Sequence, residues 1–253
     1  MSSTTQTPRT SRQRRETTYE RYLRTDELLG LQRSEDERLH PDELTFQIVH
    51  QTFELWWKMT VQQLRLATEQ LGSGGYGEAA RALRRAVSAQ GVIMQAMRQL
   101  EFVSPADFLV IRAGLGDGSG ADSPGFRAIL RAAPDLWDAF EGAIAREQTT
   151  LVDIYAAPQT HPALYDCAEQ MTDFDEIFHV FRAAHLKLAQ RNLGLQATGT
   201  GGTPMEMLVR TLGDLLFPPL WEARDALLAR IQSQQGATDP SGATGHGRGT
   251  GTA

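Results

Sequence analysis

The sequence predicts an all-α fold, a helical bundle with disordered N- and C-terminal tails. Apolar residues recur at the three- and four-residue spacing of a helix along most of the chain, whereas the alternating pattern of a β-strand is scarce. Helix-capping signals punctuate these stretches. Bundles of this kind place their cofactors between facing helices, so the interior is where we look for a site.

The capping signals predict the helix boundaries in chain order. The signals are Pro at the first helical position, Ser or Thr before it, and Gly after the last turn. They give helices from about Asp42 to Leu71, ended by Gly72-Ser73-Gly74-Gly75; from about Tyr76 to Glu101; from Ser104 to Gly114; from Ser123-Pro124 and again from Ala133-Pro134; from Thr172 to Gly194; from a capping box at Thr203-Pro204-Met205-Glu206; and from Pro218-Pro219 to about Ile231.

Both ends of the chain have compositions typical of disorder. Residues 1–17 are mainly Ser, Thr, Gln and Arg, and residues 233–253 are mainly Gly, Ser, Thr and Gln. The Arg-rich start lacks the apolar helical face of a transit peptide, and no apolar signal-peptide core follows it. We therefore predict one domain over 18–232 between two disordered tails.

Composition excludes several classes of partner and cofactor. A net charge of −6 argues against nucleic acid, because phosphate binding needs clustered Lys and Arg. No apolar run approaches the length of a membrane span, so we expect no membrane partner. The lone cysteine, Cys167, excludes an internal disulfide and any thiolate-rich metal site within one chain, and it fits a reducing cytoplasm.

Two histidines lie on the apolar faces of two predicted helices. His50 shares a face with residues 46, 53 and 57, and His185 shares one with residues 174, 178, 181 and 188. Neutral imidazole is the commonest metal ligand and also accepts hydrogen bonds, so an apolar cavity between these helices could hold a haem. Each histidine could equally be a hydrogen-bonded core residue, and periodicity alone does not separate the two readings.

Several short motifs over residues 18–226, through their order along the chain, decide between a haem-binding histidine and a hydrogen-bonded core histidine. They are Tyr19–Leu29, which reads Tyr-x-x-Tyr-Leu-x-x-Asp-x-Leu-Leu; His40-Pro41-Asp42-Glu43 with Phe46 and His50-Gln51-Thr52-Phe53-Glu54-Leu55-Trp56; Phe108–Arg112 with Leu115-Gly116 and Ser119-Gly120; Arg182 and His185 with Gly199-Thr200-Gly201-Gly202; and Phe217-Pro218 with Leu220-Trp221. Together they resemble the tryptophan 2,3-dioxygenase family, whose members are haem enzymes.

This resemblance implies a haem b cofactor and a division of roles between the two histidines. His185 would be the axial ligand of the haem iron. His50 would be the catalytic residue of the distal side and would accept a hydrogen bond from the indole N–H of the substrate, which requires a neutral imidazole. Phe46 would pack against the indole ring.

The resemblance also implies how the amino-acid end of the substrate is held. Arg112 would pair with the substrate carboxylate, for which a guanidinium fork is better suited than an ammonium. Thr200 would bind the substrate's ammonium and carboxylate groups. Phe108, Ser119 and Gly120 would complete the pocket wall.

A neighbouring subunit would contribute the rest of the pocket. In the family that the motifs resemble, the segment carrying Tyr19, Tyr22 and Leu23 lines the pocket of another protomer. The resemblance therefore implies a homo-oligomer, a homotetramer, whose small-molecule partners are tryptophan or a derivative and O2.

The chain departs from the family pattern around the pocket. Phe108 stands where the family usually has Tyr, and Ala121-Asp122 replaces the usual Phe-Gln after Ser119-Gly120. Phe181, one turn before His185, stands where Trp is common. The spacing from His185 to Thr200 is one residue longer than expected, and the region 126–138 is shorter than in typical members.

These features predict a haem-dependent oxygenase that uses O2 to oxidise the indole ring of L-tryptophan or a substituted tryptophan. The default reaction is 2,3-dioxygenation to N-formylkynurenine, as in the kynurenine pathway. The altered wall motivates an alternative, a monooxygenase that forms a 2-oxindole from a derivative such as β-methyltryptophan in natural-product biosynthesis. A third hypothesis is a non-catalytic haem-binding helical protein, against which Arg112 and Thr200 argue because a haem carrier needs no amino-acid clamp.

Overall fold

The computed structural model describes residues 15–195 and 209–238, and within them every regular element is helical. The predicted all-α fold is thereby confirmed. No helix in this part of the chain is long and apolar enough to cross a membrane. The helices are α1 (Thr18–Leu23), α2 (Thr25–Leu29), α3 (Glu43–Ser73), α4 (Tyr76–Met97), α5 (Pro105–Ala113), α6 (Pro124–Arg146), α7 (Leu151–Ala156), α8 (Pro162–Leu193) and α9 (Pro218–Thr238).

Four long helices enclose the main hydrophobic core. Helix α3 packs against α4 and α6, and α4 packs in turn against α8. Each contributes large side chains that are fully buried, such as Leu64, Leu83, Phe140 and Phe178. Burying a side chain of this size contributes about 1.5–3 kcal/mol, so the shared core supplies most of the stability of helices that would be marginal alone.

The helix boundaries predicted at Ser104, Ser123, Gly194 and Pro218 are confirmed. Ser104 caps α5 by accepting the Asp107 N–H at 3.2 Å, and Ser123 caps α6 by accepting the Phe126 N–H at 3.0 Å. Helix α8 ends at Gly194, whose φ of +87° is accessible to glycine at no steric cost. The predicted restart at Pro218 is also where α9 begins.

Two predicted helix starts are wrong. Pro134 lies inside α6 rather than at a boundary. An internal proline costs about 3 kcal/mol or more, but Ile129, Ala133, Leu136 and Phe140 are buried on both sides of it, and their burial offsets that cost. Thr172 lies inside α8, which begins ten residues earlier at Pro162; its hydroxyl donates to the Ala168 carbonyl at 2.9 Å instead of capping a new helix.

Three other boundaries differ from the prediction. Helix α4 ends at Met97, and a 3₁₀ segment continues over Arg98–Phe102. Helices α1, α2 and α7 were not predicted, and α9 extends to Thr238, past the predicted end at about Ile231. The predicted capping box at 203–206 and most of both predicted tails, residues 1–14 and 239–253, lie outside the described residues.

A buried carboxylate joins α8 to the start of α9. Asp175 is fully buried and accepts the backbone N–H groups of Leu216 at 2.9 Å and Phe217 at 3.1 Å, together with the Trp221 indole N–H at 3.1 Å. Nearby, the Arg182 guanidinium donates to the Asp214 carbonyl. The segment 214–221 is therefore tied to the helix that carries His185.

We expect Asp175→Ala to lower the free energy of unfolding by about 2–5 kcal/mol, because hydrogen bonds to a charged group are lost and buried donors are left without partners. Asp173→Ala, on the exposed side of the same helix, is the matched control and should change it by less than about 0.5 kcal/mol. Urea unfolding of both variants measures this. Equal stabilities would show that the carboxylate does not hold α9.

Candidate active site

An apolar cavity of about 390 Å³ lies between α3, α5, α8 and the segment 115–123. Its size falls in the range of about 300–1,000 Å³ that is typical of small-molecule and cofactor sites. Its wall is formed by Phe46, His50, Glu54, Leu100, Val103, Phe108, Leu115, Gly118, Ser119, Gly120, Ala121, Asp122, Ser123, His185, Leu188, Ala189, Asn192 and Leu193.

The structure brings together the two histidines and much of the predicted wall. His50 and His185 line the same cavity, together with Phe46, Phe108, Ser119 and Gly120. Sequence reasoning missed Glu54, which lies one turn after His50 on α3. Its place in the motif His-Gln-x-x-Glu was the available signal.

His50 has a defined tautomer. Its Nδ1 lies 2.7 Å from the carbonyl oxygen of Phe46, which can only accept, so Nδ1 carries the proton and Nε2 is left as an acceptor. Burial lowers the pKa of His50, against smaller opposing effects from the Phe46 carbonyl and the negative charge of Glu54. His50 is therefore a neutral imidazole at neutral pH, with a free acceptor nitrogen.

His185 is held in an even less polar environment. Burial, and secondarily the proximity of His50, lower its pKa to about 4. The Phe181 ring stacks beside it, with ring centroids 6.1 Å apart and planes inclined by 15°. Phe181 also packs edge-on against Trp57 at 5.5 Å between ring centroids, so the residue one turn before His185 is a core aromatic.

Gly120 approaches the His185 ring closely. A Cβ atom at position 120 would lie 3.5 Å from Cε1 and 3.6 Å from Nε2 of His185. Any larger side chain there would fill the space in front of Nε2. Glycine at this position keeps that nitrogen accessible from the cavity.

Aromatic rings form one side of the cavity. The Phe46 ring lies 4.1 Å from the His50 ring and 6.2 Å from the Phe108 ring, measured between centroids. Centroid separations of this order are typical of favourable aromatic pairs. A planar aromatic ligand therefore meets aromatic faces near the acceptor nitrogen of His50.

Other predicted site residues are not brought to this cavity. Arg112 is half-buried on α5, one turn after Phe108, and is not among the described residues that line the cavity. Tyr19, Tyr22 and Leu23 lie on α1 with 69%, 86% and 45% of their surface exposed, so they do not line the cavity of their own chain. Thr200 lies outside the described residues.

A second group of potential metal ligands lies at the start of α3 and α5. One ligand atom from each of His40, Asp42 and Asp107 lies within 4.8 Å of the others. However, His40 Nδ1 accepts the Asp42 N–H at 3.2 Å, and Nε2 lies 3.4 Å from an Asp107 carboxylate oxygen. These contacts explain the cluster, because they link the start of α3 to the start of α5.

The low pKa of His185 makes the stability of the protein without bound ligands depend on pH. An unfolded chain binds a proton at His185 below about pH 6.5, whereas the folded chain does so only near pH 4. The free energy of unfolding should therefore fall as the pH drops through this window, by up to about 3 kcal/mol. His185→Leu should lose that part of the pH dependence in urea unfolding at pH 4.5 and 7; an unchanged pH dependence would contradict the neutral-histidine assignment.

Comparison with known proteins places the chain in a family. The sequence pattern of the family described as tryptophan 2,3-dioxygenase matches residues 3–132. The tryptophan 2,3-dioxygenase of Caulobacter vibrioides is 30% identical over 83% of this chain and 98% of its own length. That of Anaeromyxobacter sp. (strain K) is 30% identical over 83% and 96%, and that of Saccharopolyspora erythraea 29% over 83% and 93%. The chain belongs to the tryptophan 2,3-dioxygenase family.

Proposed function

We propose that this protein is a haem-dependent oxygenase that oxidises the indole ring of L-tryptophan or a substituted tryptophan, by default through 2,3-dioxygenation to N-formylkynurenine. One observation carries the proposal: two neutral imidazoles line one apolar cavity with aromatic walls. The names of the relatives support tryptophan as the substrate class. The domain 18–232 would form the haem-binding unit.

The residues present fit a haem b group. His185 offers an uncharged nitrogen, and Gly120 leaves the space in front of it free of side-chain atoms. The lone cysteine, Cys167, is buried, and burial raises the pKa of its thiol to about 12, so we propose non-covalent binding. When bound, the haem iron supplies the binding and activation of O2.

The chain's own residues would bind and orient the substrate. His50 Nε2 accepts the indole N–H, a role for which its tautomer is suited, because Nδ1 is already committed to the Phe46 carbonyl. Phe46 packs against the indole ring and Phe108 extends that wall. The surrounding apolar side chains exclude water, and holding the ring in place contributes to the rate without any further group.

The amino-acid end would be bound by Arg112 and Thr200. Arg112 lies on the same helix as Phe108, one turn further on, and Phe108 lines the cavity, which supports a role for Arg112 beside it. We also propose a homotetramer in which Tyr19, Tyr22 and Leu23 of α1 reach a neighbouring subunit's cavity. Their exposure supports this, since apolar side chains on a short helix are otherwise costly to leave in water. A cytoplasmic location fits the single, unpaired cysteine.

A specific observation favours the alternative of a larger or substituted substrate. Ala121 and Asp122 both line the cavity at the positions that depart from the family pattern. The Asp122 carboxylate is engaged by Arg127 at 2.6 Å and by the Ser119 N–H at 3.1 Å, so it is turned to its own segment. A small Ala121 beside it leaves room for a substituent such as a β-methyl group.

His185→Ala should abolish haem binding, because the proposed axial ligand is lost. The absorbance ratio of the Soret band to the protein band at equal haem supply measures this. His179→Ala, a histidine on the same helix that does not line the cavity, is the control and should bind haem as the wild type does. Full haem loading of His185→Ala would contradict the assignment of the ligand.

The product formed under isotopically labelled O2 tests the function itself. We expect two labelled oxygen atoms in N-formylkynurenine from L-tryptophan, by mass spectrometry. One labelled atom in a 2-oxindole, with a higher kcat/KM for β-methyltryptophan, would establish the monooxygenase alternative; a single methyl group is worth only about 1–3 kcal/mol in such a pocket. No product from any tryptophan, with haem correctly bound, would leave the non-catalytic hypothesis.

A further inference from the structure

We infer that Glu54 is a positioning residue that anchors the cavity wall Ser119–Ser123 to helix α3. This wall carries Gly120 and the departures Ala121 and Asp122, and it is the part of the cavity that meets His185. The inference rests on the proposed function only for the identity of the substrate.

The Glu54 carboxylate spans the gap between α3 and the start of α6 with both of its oxygens. Oε1 accepts the Ser123 hydroxyl at 2.5 Å, and Oε2 accepts the Gly125 backbone N–H at 2.9 Å. These donors lie 69 and 71 residues further along the chain. A carboxylate at the first turn of a helix satisfies amide groups that have no partner within the helix, and it is favoured by the helix dipole.

The backbone approaches Glu54 so closely that only glycine fits at position 125. A Cβ atom there would lie 2.7 Å from Glu54 Oε2 and 2.8 Å from Trp57 Cβ. These separations are far below ordinary van der Waals contact, so the start of α6 would have to move. The contact therefore depends on the carboxylate on one side and on the absence of a side chain on the other.

The wall behaves as one unit because it is bonded within itself. The Ser119 N–H donates to Asp122 Oδ2 at 3.1 Å, and the Ser123 N–H donates to the Gly120 carbonyl at 3.2 Å. Glu54 holds the Ser123 end of this unit. A shift at Ser123 is thus transmitted to Gly120, which lies against the His185 ring.

Glu54 also stands between two spaces. It lines the cavity and, with Lys58 and Arg65, an open groove of about 830 Å³ between α3 and α6. Ser123, which Glu54 binds, lines the cavity, and Gly125, which it also binds, lines the groove, so the anchored segment lies between the two spaces. Release of the anchor would open the cavity on the side of His50.

The charge of Glu54 is not what His50 requires. The negative charge raises the pKa of His50, but burial is the larger effect and lowers it, so His50 is neutral at pH 7 with or without Glu54. The two hydrogen bonds to Ser123 and Gly125 remain as the contribution of this side chain to the site.

Four variants of the full-length holoenzyme separate anchoring from charge and from fold stability. Glu54→Ala removes both acceptors, and Glu54→Gln removes the charge but keeps an acceptor for Gly125 and a donor for Ser123. Gly125→Ala displaces the wall while the carboxylate is retained. Glu69→Ala removes an exposed carboxylate that lines the outer groove on the same helix, and it is the control.

Hydrogen exchange of residues 119–126, followed by mass spectrometry, measures whether the wall is anchored. We expect faster exchange in Glu54→Ala and Gly125→Ala, and wild-type exchange in Glu69→Ala. Unchanged exchange in Glu54→Ala would overturn the inference. This measurement does not require turnover, so a wild-type chain that fails to oxidise tryptophan would contradict the proposed function alone.

Steady-state kinetics with L-tryptophan measure whether the anchored wall positions the substrate. We expect kcat/KM to fall roughly 10- to 100-fold in Glu54→Ala and Gly125→Ala, mainly through KM, with haem content unchanged. Glu54→Gln should retain most of the activity. Equal losses in Glu54→Ala and Glu54→Gln, or faster exchange with wild-type kcat/KM, would overturn the positioning role; if Gly125→Ala does not fold, the two Glu54 variants still decide it.

Discussion

Two uncharged imidazoles in one apolar cavity are the constraint on which the rest of this site depends. A protonated His185 has no lone pair with which to bind a metal, and a protonated His50 could not accept a hydrogen bond at Nε2. Burial prevents both protonations, because charging either ring inside the bundle costs more than charging it in water. The apolar core and the neutral histidines therefore have the same origin, because helices that pack tightly enough to form the bundle also keep the histidines neutral.

Rigid helices carry the histidines, and carboxylates on the same helices hold the irregular segments near them. His50 and Glu54 are one turn apart on α3, and Glu54 binds the start of α6. Asp175 and His185 share α8, and Asp175 binds the chain that leads into α9. In both cases a carboxylate accepts backbone N–H groups of a distant segment. The geometry of the cavity therefore follows from two long helices rather than from the loops, which alone would position side chains less accurately.

Local signals predicted what depends on local structure, and they failed where packing over long sequence distances decides. Ser104, Ser123 and Gly194 act within a few residues, so their caps could be read from the sequence. Pro134 and Thr172 are strong local signals as well, but burial of the residues around them keeps α6 and α8 continuous. The facing of His50 and His185 followed from helical periodicity together with the family motifs. The contact of Glu54 with Ser123 could not be predicted in this way, because no periodicity relates residues 69 positions apart.

The cavity is lined partly by the long helices α3 and α8 and partly by a separate wall, and this affects how the chemistry of such a protein can change. The histidines and Phe46 lie on α3 and α8, whereas the positions that depart from the family pattern, Ala121 and Asp122, lie on the separate wall before α6. That wall is joined to α3 through the Glu54 carboxylate, and the Ala121 side chain takes no part in the hydrogen bonds that hold the wall together, whereas the Asp122 carboxylate does. Under the proposed function, substrate shape would be set in part by position 121 of this wall, and cofactor binding by His185 on α8. An exchange at position 121 would then alter the substrate preference, while the two histidines, which are constrained by the bundle core, stay in place.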